Sequence, residues 1–104
     1  MRMRMHHNPH PVKALMFAVL LLGVSAAHAA GDPDAGAEKA KGCAGCHGID
    51  GKGRVPLAGK SAVYLEEQLR AFQSGVRRQQ MMNMMARSLS DQDLADLAAY
   101  FAAQ

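Results

Sequence analysis

The chain carries two cysteines, three positions apart, with a histidine directly after the second: Cys43-Ala44-Gly45-Cys46-His47. Two thiols at this spacing can reach the two vinyl groups on one edge of a porphyrin and form thioethers. The next residue is then held against the iron as an axial ligand. Ala44 and Gly45 are small and crowd nothing. Three other chemistries compete for the same residues. A thiol–disulfide oxidoreductase needs a strand before the motif and a long helix after it, whereas here the loop-like GIDGKGRVP follows. A zinc site takes about four ligands, and two Cys and one His are nearly the whole supply beyond residue 29. A structural disulfide suits an oxidising compartment but leaves His47 without a role. Covalent attachment of one haem c uses all three residues, with Cys43 and Cys46 bonded to the haem and His47 on the iron.

The second concentration of chemistry is Met81, Met82, Met84 and Met85. If His47 takes one side of the iron, no other His beyond residue 29 can take the second. A thioether there raises the potential and closes the iron to outside ligands. Methionines also fill core gaps, and Met-rich sites bind copper. Neither use explains why every Met beyond residue 29 falls within five positions. One of the four is read as the sixth ligand.

The charge is misleading as it stands. The 104 residues carry a formal +3 and a pI near 9.1, which suggests anionic partners. The excess sits in Arg2, Arg4 and Lys13. They precede an apolar run from Ala14 to Ala26 and the small-x-small site Ala27-His28-Ala29, the order of a cleavable signal peptide over residues 1–29. The run is shorter than the roughly 20 residues needed to span a bilayer. Residues 30–104 then form one domain, with nine basic and nine acidic residues. That balance removes the case for nucleic acid, and no stable membrane insertion is expected after the signal is removed. A domain this small usually needs a staple or a cofactor.

The pattern of residues 30–104 is all-α. Asp32 and Pro33 open a helix that Gly42 closes. Ser61 and Gly75 bracket a second, with Leu65, Leu69 and Phe72 on its apolar stripe and Glu66, Glu67, Arg70 and Gln73 toward water. Ser90 and Asp93 start a third with a capping box, and Leu94, Leu97, Ala98 and Phe101 form its buried face. Two irregular stretches separate them: Gly42 to Lys60, and Val76 to Ser88 with the methionines.

The ordered segments GDPDAGAEKAKGCAGCHGIDGKG, PLAGKSAVYLEEQLRAFQSGVR and MMNMMARSLSDQDLADLAAYFAAQ resemble class I c-type cytochromes, especially the small bacterial kind. The resemblance covers residues 30–104. It implies three to four short helices wrapped round one covalently attached haem. The first and last helices would cross, with Tyr100 or Phe101 near Gly36 and Ala40. It implies that the Pro56 carbonyl accepts the His47 Nδ1–H. Counting seven residues back from Leu89 makes Met82 the axial ligand, with Met85 the runner-up. The sequence departs from relatives in a short Gly48–Arg54 loop and in Met84, which stands where they often have Pro.

No acid–base pair, nucleophile–base pair or phosphate loop appears. The carboxylates sit at helix starts or on faces expected to be solvated. The expected function is therefore a soluble periplasmic carrier of single electrons, not an enzyme. It would dock transiently with other redox proteins, steered by Lys52, Arg54, Lys60, Arg77 and Arg78 around the haem edge. The alternative is a haem c subunit of a dehydrogenase or oxidase complex, or a peroxidase-like protein with open iron.

Overall fold

The computed structural model describes Arg2, Met3 and residues 30–104. Apart from those two positions, the expected signal peptide lies outside the described residues. From residue 30 on, α1 spans Pro33–Ala40, a 3-10 turn spans Lys41–Cys43, and α2 spans Ala44–His47. Then come α3 (Ala62–Ser74), α4 (Gln80–Arg87) and α5 (Asp91–Ala102). Among the described residues the regular secondary structure is all helical, as the sequence pattern predicts.

Local chemistry sets most of these boundaries. The Asp32 carboxylate accepts the Asp34 amide, and Pro33 takes the first helical position. Ser61 Oγ accepts the Tyr64 amide at 3.1 Å, and Gly75 ends α3 in the left-handed region at φ 81°. Ser90 and Asp93 form the reciprocal capping box that opens α5.

Two expected loops turn out to contain helix. Gly42 is not among the glycines at positive φ, so the chain tightens into the 3-10 turn there and resumes as α2. The stop comes at Gly48, at φ 76°. The Met segment is likewise helical: Gln79 caps it by accepting the Met82 amide at 2.7 Å. Met84 keeps the backbone N–H that a proline would lack, so α4 continues through it.

The core lies where α5 meets α1 and α3. It is built from Ala40, Leu65, Leu97, Ala98 and Phe101. The crossing of α1 over α5 depends on Gly36. A Cβ there would sit 2.1 Å from the Asp96 carbonyl oxygen and 2.7 Å from Tyr100 Cβ, so only glycine permits the approach. Tyr100 thus meets α1 at Gly36, and Phe101 shares the core with Ala40, as the expected crossing of Tyr100 or Phe101 near these positions requires.

Not every carboxylate is solvated. Asp96 is 2% exposed. Its Oδ1 accepts the Asp32 amide and Gln92 Nε2, each at 2.8 Å, and its Oδ2 accepts Lys39 Nζ at 2.6 Å. Lys39 also pairs with Asp93 at 2.8 Å. One carboxylate therefore ties the entry of α1 and a residue near its end to α5. These bonds, led by that of the Asp32 amide, hold the Asp96 carboxyl at about 2, below the roughly 3.9 of an unfolded chain. Its stabilisation is whole above about pH 4 and is lost as the pH falls toward 2. Asp96→Asn is expected to cost about 2–4 kcal/mol at neutral pH, because Lys39 and the Asp32 amide lose a charged partner. Urea midpoints across that acid range should also flatten in the variant.

Candidate cofactor site

The CAGCH motif lies at the turn where α1 gives way to α2. Cys43 is half-buried, and burial pushes its thiol pKa up. That is the reverse of what an activated redox thiol requires. Cys46 is exposed, and the two are not joined in a disulfide.

His47 is buried, with Nδ1 2.8 Å from the Val55 carbonyl. A carbonyl only accepts, so Nδ1 carries the proton and Nε2 is left with a free lone pair. The partner is Val55 and not the expected Pro56. The short Gly48–Arg54 loop folds straight back over α2: the Gly53 amide donates to the His47 carbonyl at 2.7 Å and the Val55 amide to the Cys46 carbonyl at 3.2 Å. That register places Val55 at the ring. Gly53 makes the return possible, since a Cβ there would meet the Gly48 nitrogen at 2.6 Å. Tyr100 closes the loop from the far side by donating its hydroxyl proton to the Ile49 carbonyl.

Cys43, Cys46 and His47 border a cavity of about 740 Å³. Its walls are mainly apolar: Leu57, then Leu65, Leu69 and Phe72 of α3, and Leu97, Ala98 and Phe101 of α5. Helix α4 adds Met81, Met82 and Met85. Met84 instead lines a polar surface depression between the end of α3 and α4. The structure thus brings three of the four methionines to the cavity that holds the motif. Met82 is half-buried, while Met81 is 58% and Met85 42% exposed.

These residues fit a haem. The volume lies in the range of cofactor pockets. The walls suit an apolar macrocycle, two thiols stand on one side, and imidazole and thioether donors share the space.

The cations are partly as expected. Lys60, Arg77 and Arg78 border the cavity, joined by Lys39, but Lys52 and Arg54 do not. Arg77 is fixed over the Phe72 ring at 4.5 Å and donates to Gln68 at 2.7 Å. Gln73 does not face water: its Nε2 donates to the Ala86 and Leu89 carbonyls at 3.1 and 2.8 Å. Asn83 makes comparable bonds. The one hint of these bonds in the sequence is a lone Asn inside a run of Met.

A family model described as Cytochrome c matches residues 33–103. The chain belongs to the cytochrome c family. It is 46% identical over 97 residues to the cytochrome c4 of Pseudomonas aeruginosa, covering 88% of this chain and 48% of that protein. It is 45% identical over 82 residues to cytochrome c-554(548) of Halomonas halodenitrificans, covering 72% of this chain and 99% of that one. Reduced recombinant cytochrome c4 from Pseudomonas stutzeri superposes with a TM-score of 0.68 at 40% identity, over 72% of this chain and 46% of that one. The chain spans about half the length of the cytochromes c4 it matches. Membership in the cytochrome c family brings covalently attached haem c as the cofactor.

Proposed function

We propose that this chain is a periplasmic mono-haem electron carrier whose signal peptide is cleaved after Ala29 on export. Cys43 and Cys46 bond the haem, and His47 and Met82 hold its iron. The observation that carries this reading is an apolar cavity bordered by both thiols, the buried His47 and Met82. Haem iron supplies reversible one-electron chemistry when bound. The chain does the rest. The Val55 carbonyl fixes the His47 tautomer. The α3 and α5 side chains exclude water, and the Met82 thioether would be the second protein ligand to the iron, a neutral soft donor that favours the reduced state.

Transient docking with other redox proteins follows from the exposed Cys46 edge and from Lys60, Arg77 and Arg78 beside the cavity. No helix among the described residues is long and apolar enough to cross a membrane.

The competing reading is an open-iron enzyme or a haem subunit of a larger complex. Carbon monoxide separates carrier from open iron. The reduced holoprotein is expected to leave carbon monoxide unbound over minutes at neutral pH. Rapid, complete binding would put the chain with the peroxidase-like proteins.

A further inference from the structure

Helix α4 packs chiefly against α3. It is eight residues long, and Ala86 is its only buried side chain. It is also tied by side-chain hydrogen bonds, and at its first turn these run through one residue. Asn83 Nδ2 donates to the Phe72 carbonyl at 2.8 Å and to the Arg77 carbonyl at 2.9 Å. Asn83 Oδ1 accepts the Gln79 amide at 2.9 Å. The Gln79 side chain in turn accepts the Met82 amide at 2.7 Å. Both hydrogens and the oxygen of this amide are therefore used. They join the first turn of α4 to the end of α3 and to the turn that follows it. Gln73 holds the other end of α4 through the Ala86 and Leu89 carbonyls, four or more positions beyond Met82.

We propose that Asn83 is the positioning residue that keeps the Met82 thioether on the haem iron. The inference rests on Met82 as axial ligand. A thioether is a neutral, soft donor, so its hold on ferric iron depends on how closely the backbone confines it. Met82 is confined twice: its own amide is capped by Gln79, and the next residue is bonded to α3. Releasing Asn83 frees the turn that carries Met82 and leaves α1, α5, the CAGCH motif and the His47–Val55 bond untouched.

The test uses the haem-loaded protein. Asn83→Leu keeps a similar volume and removes all three bonds. In this variant the rate of cyanide binding to the ferric form is expected to rise about tenfold. The red charge-transfer band of thioether ligation is expected to disappear at a pH at least about one unit lower than in the parent. Asp96→Asn is the control, since it weakens the α1–α5 contact and does not touch α4. Unchanged cyanide rate and band in Asn83→Leu overturn the proposal. Equal changes in Asp96→Asn also overturn it, because general loosening then accounts for the effect. If Asn83→Leu does not mature, Asn83→Asp replaces it; that variant retains the acceptor for Gln79, loses both donors and has the same expected direction. A red band that survives Met82→Ala instead rejects the ligand assignment beneath the proposal, whatever Asn83 does.

Discussion

Replacing Cys43 and Cys46 together by serine is expected to abolish haem retention and, with it, cooperative folding. The reason is how little core remains without the cofactor. Leu94 is the one large side chain that is fully buried, and four of the nine buried apolar residues are alanines. Phe72, Leu65, Leu97 and Phe101 turn part of their surface to the 740 Å³ cavity. An empty apolar space of that size forfeits the packing of every wall around it. A bare core at this length supplies only about 3–5 kcal/mol, so the loss is comparable to the whole stability. A far-UV circular dichroism melt of the double variant should lose its cooperative transition, and acidified-solvent extraction should remove any haem. A red protein that keeps its colour through extraction would contradict this.

How far the fold was legible in the sequence depends on the range of the interaction. The starts of α1, α3 and α5 were readable, because Asp32, Ser61 and Ser90 cap amides only two or three positions away. The motif and its chemistry were readable because thiol spacing is itself local. Gly42 misled because glycine closes a helix only where the chain enters the left-handed region, which here happens at Gly48. Helix α4 was hidden because its cap is a glutamine and its tether is a side chain reaching back 11 positions to Phe72. Asp96 looked like any acid on a helix surface. Its burial depends on the Asp32 amide, 64 positions away. Pro56 gave way to Val55 through a register shift of one residue, which depends on how tightly the Gly48–Arg54 loop returns.

The Met cluster is the point at which sequence and structure together narrow the choice most. Residue order alone favoured Met82 over Met85 by resemblance. The structure turns Met84 to the other depression and leaves Met81 and Met85 largely exposed beside the cavity. Met82 is the least exposed of the three that border it, and the only one whose backbone amide is capped by Gln79. With Met82 as the proposed sixth ligand, removing its sulfur is expected to open the iron. Axial ligands set haem potentials over roughly 0.8 V, and a neutral thioether ligand lies toward the high end. Met82→Ala is therefore expected to lower the midpoint potential by on the order of 0.1–0.3 V and to admit carbon monoxide. Met85→Ala should change neither by a comparable amount, because an exposed side chain at the cavity edge contributes contact and no ligation.

The ferric visible spectrum of these two variants is the most direct measurement of the account. The parent and Met85→Ala should both show the red charge-transfer band of iron bound to thioether sulfur, and Met82→Ala should lack it. A band that persists in Met82→Ala and disappears in Met85→Ala would contradict the assignment of the sixth ligand and the role given to α4.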